Sequence, residues 1–266
     1  MKIPQNKITE RNWWDKDAKN DHIKSAAAVS STGTTDPFIK LPDLPSKDDV
    51  YNKIILDIGC GYGRTLIPLA KMGPKTAYGV DISRVMLGHC KTYARAQKVK
   101  LKLIYAALPK LPFKFKSIDL IFSSSVLLHL PKTDIPVLLE EIKRVLRSGG
   151  KAVFVSSFPN SLSINGASNW FPTIAKAKLL NKDIIPGMPK HYTYWELKRL
   201  LVNVGLKHKI DFAGYQLIPT SINRFPLPAK SVIEKFNHAL EDKLKTKNWR
   251  IINFFLPRFF EVTLYS

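Results

Sequence analysis

Three glycines and two carboxylates in this chain stand at a spacing that suits a bound nucleoside. Ile54 to Ile58 is a short apolar run with Asp57 near its end, and Gly59, Gly61 and Gly63 follow at alternate positions. Such a run reads as a strand buried on both faces of a parallel sheet. The glycines let the backbone turn sharply and approach a ligand, where the first N–H groups of the next helix point outward. A second short strand, Thr76 to Val80, leads into Asp81, 24 residues beyond Asp57. A carboxylate at that point of a Rossmann-type unit accepts hydrogen bonds from ribose hydroxyls. The competing reading makes Asp81 a cap for the helix that begins near Ser83, itself a good capping residue. A dinucleotide-binding turn needs a small residue where Arg64 stands, so a dinucleotide is disfavoured.

The spacing Asp57-x-Gly59-x-Gly61-x-Gly63 resembles the first motif of the class I S-adenosylmethionine-dependent methyltransferases. Later segments are similar to further blocks of that family: Leu111-Pro112-Phe113, Ile118-Asp119-Leu120, Ser123 to His129, and Leu146 to Gly150. The likeness spans roughly residues 50 to 157 and is to the branch that includes ubiquinone-biosynthesis and many small-molecule methyltransferases. It implies S-adenosylmethionine as cofactor, with Asp57, Gly59, Cys60, Gly61, Gly63, Asp81, Ile82, Ala107, Leu108 and Ser123 around it. That branch usually carries an acid after the third strand for the adenine amino group. Here Tyr105-Ala106-Ala107 stands instead, so adenine binding would rest on backbone groups near Ala107 and Leu108.

Methyl transfer from a sulfonium is an in-line displacement that needs alignment and exclusion of water more than elaborate acid–base machinery. His129, after the fourth strand, is the candidate general base. The alternative is a structural histidine within the apolar run Leu127 to Leu130. The family's planar-amine enzymes carry an acid or asparagine, two prolines and an aromatic after the fourth strand, and Ser124-Ser125-Val126-Leu127 does not match. Cys60 and Cys90 do not sit where the pyrimidine carbon-5 enzymes place their nucleophile, and their spacing suits no metal.

These residues need a scaffold, and the chain alternates short strands with helices. Helices are predicted over Thr65 to Met72, Ser83 to Lys98 and Ile135 to Leu146. The last has an apolar stripe of Val137, Leu138, Ile142 and Val145 and a glycine stop at Gly149-Gly150. Strands are predicted at Leu101 to Tyr105, Ser117 to Ser123, Lys151 to Ser157, Leu206 to Phe212 and Phe259 to Tyr265. Thr193 and Glu196 form a capping box for a helix closing at Gly205. The expected fold is α/β: a Rossmann-like doubly wound, mainly parallel seven-stranded sheet with an antiparallel last strand and helices on both faces.

Residues 1–50 read as an N-terminal extension and 51–266 as the methyltransferase domain, with 222–257 as a helical insertion before the last strand. In the extension a short helix is predicted from Asp15 to Val29. Trp13 and Trp14 are read as pinning it to the domain surface, with a lid over the pocket as the alternative. Within the insertion, Ser231 to Leu244 patterns as a basic amphipathic helix that would pack on the domain or lie on an anionic membrane. The formal net charge of +21 raises the local concentration of polyanions, but the excess is mainly dispersed lysine. The expected acceptor is therefore a small or lipid-like molecule methylated at O, N or C. An RNA acceptor and a non-catalytic cofactor-binding protein are the alternatives. No apolar run of 18 residues and no apolar leader stands out, so a cytoplasmic protein, with peripheral membrane contact as a further option, is the expectation.

Overall fold

A computed structural model describes residues 7–19, 44–163, 190–215, 239 and 257–266. Its centre is a seven-stranded sheet in the order β3-β2-β1-β4-β5-β7-β6. The strands are β1 (Ile54–Ile58), β2 (Thr76–Asp81), β3 (Lys102–Tyr105), β4 (Ile118–Ser124), β5 (Leu146–Pro159), β6 (Lys207–Tyr215) and β7 (Pro257–Tyr265). Pairing is parallel from β3 through β5, while β7 runs antiparallel between β5 and β6. The expected topology is thus the observed one.

The helices among the described residues are α1 (Ile8–Asp17), α2 (Lys47–Val50), α3 (Leu66–Lys71), α4 (Arg84–Ala96), α5 (Asp134–Val145) and α6 (Tyr194–Val204). Alternation along β1 divides the core between the two faces of the sheet. Leu56 and Ile58 join a cluster with Leu138, Ile142 and Val145 of α5 and Leu197 and Leu201 of α6. Ile55 lies with Leu66 and Leu69 of α3 and Cys90 of α4. Asp57 shares the face of Ile55, so its carboxylate enters a layer of apolar side chains.

The capping box at Thr193 is present: its side chain accepts from the Glu196 N–H, and Glu196 accepts from the Thr193 N–H at 2.8 Å. Gly205 closes α6 in the left-handed region at φ +71. Two expectations need correction. The buried stripe of α5 is Ile135, Leu138, Leu139, Ile142 and Val145, and Val137 is exposed. That helix also ends at Val145, before the glycines. Leu146 is already paired with Ile118, and Arg147 to Gly150 lie where the register of β4 and β5 shifts. A Cβ on Gly150 would approach the carbonyl oxygens of Arg147 and Asp119 at 2.9 Å, so the glycine serves this close strand contact rather than a helix stop.

In the extension, the described helix is α1, which begins seven residues before the predicted start and contains both tryptophans. The predicted stretch beyond Lys19, and the amphipathic segment Ser231 to Leu244 apart from Ala239, lie outside the described residues. Among the described residues no helix is long and apolar enough to cross a membrane.

Candidate functional site

The glycine loop joins β1 to α3 and is fastened to β2. The N–H groups of Gly59 and Cys60 both donate to the Val80 carbonyl, at 2.7 and 3.1 Å. The Gly61 N–H donates to Asp81 Oδ2 at 2.8 Å, and the Ser83 N–H to Asp81 Oδ1 at 2.8 Å. Gly59, Gly61 and Gly63 all have positive φ, which L side chains rarely adopt. Gly61 faces open space: a Cβ built there meets no heavy atom within 4 Å. By contrast, a Cβ on Gly63 would stand 2.7 Å from Cys90 Sγ, so Gly63 permits close packing of the loop on α4.

Asp57 is buried at the base of the loop. The Thr65 hydroxyl donates to its Oδ2 at 2.5 Å, while its Oδ1 has no hydrogen-bond partner. Burial pushes the carboxyl up to about 7, against the Thr65 hydrogen bond that favours its ionised form. Asp81 is likewise pushed up to about 6 by burial, while the N–H groups of Ser83 and Gly61 pull the other way. The cap of α4 is Ser83, whose hydroxyl oxygen accepts from the Met86 N–H at 3.1 Å. Asp81 therefore leaves the capping hydroxyl role to Ser83 and lines the cavity.

That cavity has a volume of about 390 Å³, the size of a small-ligand pocket. Of the residues singled out in the sequence, Gly59, Cys60, Gly61, Asp81, Ile82, Leu108 and His129 line it. Asp57 and Gly63 lie behind the loop, supporting it. Ala107 is displaced by its neighbours Ala106 and Leu108, which face the cavity. Ser123 is fully buried, its hydroxyl donating to the Ile58 carbonyl at 3.0 Å, and Ser124 and Ser125 reach the cavity instead. Burial also governs the cysteines: a hydrogen bond with Cys90, and then desolvation, push the Cys60 thiol well above its ordinary range. It is a poor nucleophile.

The sequence offered Trp13 and Trp14 over the pocket only as the alternative, and it gave no sign of Glu10 or Asp17 there. Glu10, Trp14 and Asp17, spaced four and three residues apart, present one helix face to the cavity. The Trp14 and His129 rings meet edge to face with centroids 5.0 Å apart. Trp14 thus does more than pin the extension to the surface. The helix is tied down at both ends: buried Lys7 donates to Asp134 at 2.6 Å, and the Ser83 hydroxyl donates to Asp15 at 2.6 Å.

The residues present suit a nucleoside-bearing cationic cofactor. Buried Asp57 Oδ1 is an unpaired acceptor behind the loop, Gly61 leaves a cradle that any side chain would fill, and Asp81 stands at the cavity edge. Ile82, Met86 and Leu108 supply apolar surface that a purine ring can pack against.

Residues 55–150 match the methyltransferase domain family. This segment is similar to a methyltransferase domain, and the fold is that of S-adenosylmethionine-dependent methyltransferases. A relative of this domain is the ubiquinone biosynthesis O-methyltransferase of Pelagibacter ubique, 27% identical over 59% of this chain and 63% of that protein. Another is the fatty-acid O-methyltransferase of Mycolicibacterium smegmatis, 28% identical over 54% of this chain and 52% of its own. The match thus spans less than two thirds of these curated relatives. In fold, the methyltransferase domain resembles a chain in the complex of the Haloferax volcanii Trm112 methyltransferase activator with a methyltransferase. That likeness has a TM-score of 0.60 at 16% identity and covers 96% of each chain.

Proposed function

We propose that this chain transfers a methyl group from S-adenosylmethionine to an oxygen of a small, largely apolar acceptor. The observation that carries the reading is Asp81, held at the cavity edge by the Gly61 and Ser83 N–H groups beside the open face of Gly61. Bound S-adenosylmethionine supplies a methyl group already activated by its sulfonium. The chain's own part is to bind and orient. Asp81 would accept the ribose hydroxyls, Asp57 would brace the glycine loop from behind, and Ile82 and Leu108 would flank the adenine. The last role offsets the acid missing after β3, where the Ala106 N–H is committed to the Asp81 carbonyl at 3.1 Å.

For the acceptor, Val126, Leu130 and Trp14 supply apolar surface with Glu10 and Asp17 beside it, and His129 stands next to Trp14. An imidazole there can take a hydroxyl proton as the new bond forms. One relative named above is described as a ubiquinone biosynthesis O-methyltransferase and the other as a fatty-acid O-methyltransferase, which supports methylation at oxygen of a lipid-like acceptor.

Isothermal titration of the full chain with S-adenosylmethionine tests the cofactor. Binding that Asp81→Ala abolishes is expected, and a folded chain that binds none overturns the reading. Radiolabelled cofactor incubated with cell extract then tests transfer. Label in the organic-soluble fraction is expected, whereas label confined to RNA would favour the nucleic-acid alternative.

A further inference from the structure

Helix α1 carries none of the motif residues described above, and the role assigned to it here rests on the reading of His129 as the acceptor's base. His129 ends a short turn, Leu127–His129, whose backbone is closed by a bond from its N–H to the Val126 carbonyl at 3.0 Å. Such a turn fixes the main chain but leaves the imidazole two rotatable bonds. On the cavity side, the aromatic ring set against the imidazole is Trp14, with an interplanar angle of 77° and centroids 5.0 Å apart. In edge-to-face geometry the positive edge of one ring meets the negative face of the other, so the pair prefers a narrow range of orientations.

The indole itself is held. Trp13 packs against it edge to face at 4.5 Å between centroids. The helix that carries it is moored at three points to two other elements, α4 and α5. Lys7 reaches Asp134 at the start of α5, Asp15 accepts from Ser83 at the start of α4, and the Ala18 carbonyl lies 3.2 Å from His89 Nε2. Lys7 is 6% exposed and Ala18 fully buried, so both ends of α1 are docked. A helix moored only for stability would place any residue over the cavity. This one places its inner tryptophan against the imidazole.

We propose that Trp14 is a positioning residue for the methyl-transfer step: it holds the His129 imidazole facing the acceptor, and α1 therefore belongs to the acceptor subsite. When the acceptor oxygen bonds to the methyl carbon, the carbon–sulfur bond breaks, its electron pair stays on sulfur as a thioether, and the hydroxyl proton passes to His129. Trp14 touches none of these bonds. It sets the direction from which the base meets the hydroxyl, and a displacement of about 1 Å there costs on the order of a hundredfold in rate.

The test uses the full chain with Trp14→Ala, Trp14→Phe and Lys7→Ala. Ring-proton signals of His129, assigned by comparison with His129→Gln, are expected to shift and broaden in Trp14→Ala and to stay near their original positions in Trp14→Phe. Label transfer from S-adenosylmethionine into the organic fraction of cell extract should fall roughly a hundredfold in Trp14→Ala. Most of it should return in Trp14→Phe, and cofactor affinity should change less than about twofold, as expected when ground-state binding is untouched. Lys7→Ala, which frees the start of α1 without touching the ring, should shift the same His129 signals partway. Unmoved His129 signals in a folded Trp14→Ala chain, or undiminished label transfer, would overturn the assignment. If the wild-type chain neither binds the cofactor nor transfers label, the functional reading fails instead. Moved His129 signals would then still show the contact.

Discussion

The Gly61 N–H donates to Asp81 Oδ2 at 2.8 Å across 20 residues of sequence, joining the glycine loop after β1 to the acid at the end of β2. The loop after β1 is thereby preset by the acid after β2, so that little ordering is left to offset binding. A carboxylate that accepts two backbone N–H bonds offers both remaining lone pairs, and its charge, to a ligand only while it is ionised.

This makes cofactor affinity pH-dependent. Asp81 is pushed up to about 6 by burial, so acid converts the acceptor into a neutral acid within the working range. Affinity for S-adenosylmethionine should therefore fall as pH drops through about 6. Between pH 8 and pH 5 the dissociation constant is expected to rise about tenfold, in proportion to the ionised fraction. Titration calorimetry across that range checks it. Asp81→Asn should bind weakly throughout and lose the step near pH 6.

Gly61 and Gly63 should separate binding from stability. Gly61→Ala meets open space at φ +51, so its cost is that of a left-handed alanine, roughly 1–2 kcal/mol. The added methyl enters the cradle, and cofactor affinity should drop at least about tenfold. Gly63→Ala adds a collision with Cys90 Sγ at 2.7 Å and Ile67 Cδ1 at 3.0 Å to its unfavourable φ of +92. It should destabilise the chain by roughly 2–4 kcal/mol. Thermal melts and titrations of both variants decide; equal melting temperatures would contradict the distinction.

The same contrast shows how much of the site was legible. The glycines, Asp57 and Asp81 could be read because each needs a particular residue type at a fixed place: a positive φ, or an acid at a strand end. The mainly parallel, doubly wound sheet followed from the alternation of short apolar runs with amphipathic helices, whereas the order of its strands did not. The choice between Ser123 and Ser124 was beyond the sequence, since three serines in a row carry no polarity pattern to show which one turns inward. Nor does the sequence show which of Ala106, Ala107 and Leu108 faces the cavity, since all three are apolar; in the structure Ala106 and Leu108 line it. Trp14 was visible as an aromatic, but its role depends on contacts with residues 115 positions away.

Asp57 links the site to stability in the opposite sense from a surface acid. Its folded value, about 7, lies above the ordinary 3.8, so the folded chain holds a proton that the unfolded chain releases. Stability from this group is full below about 4 and declines as pH rises through about 7. Asp57→Asn, which keeps an oxygen for the Thr65 hydroxyl, should remove that decline. The variant's melting temperature relative to the parent is expected to rise between pH 5 and pH 8. A constant difference would show that Asp57 is not protonated in the fold.

Glu141 should behave in the reverse way, and through it the loop leading away from the cavity can be probed. Its Oε2 accepts the Leu111 N–H at 3.0 Å, while Arg144 donates to the carbonyls of Phe113 and Leu111 at 2.9 and 3.0 Å. The two side chains also pair with each other, at 2.8 Å. They therefore staple the segment 111–113 to α5 a few residues after Leu108, which lines the cavity. The Arg144 hydrogen bond holds Glu141 down at about 2, below the ordinary 4.5. For such a depressed acid, the stabilisation is complete above about 4.5 and is lost as pH falls toward 2. Allowing for solvent around the partly exposed guanidinium, the pair is worth about 1–3 kcal/mol. Glu141→Gln should lower the melting temperature at pH 7 and leave it nearly unchanged at pH 2 to 3. If the loop positions Leu108 against the adenine, the same variant should also weaken S-adenosylmethionine binding at pH 7 by a few-fold. Intact affinity alongside lost stability would confine the staple to the scaffold.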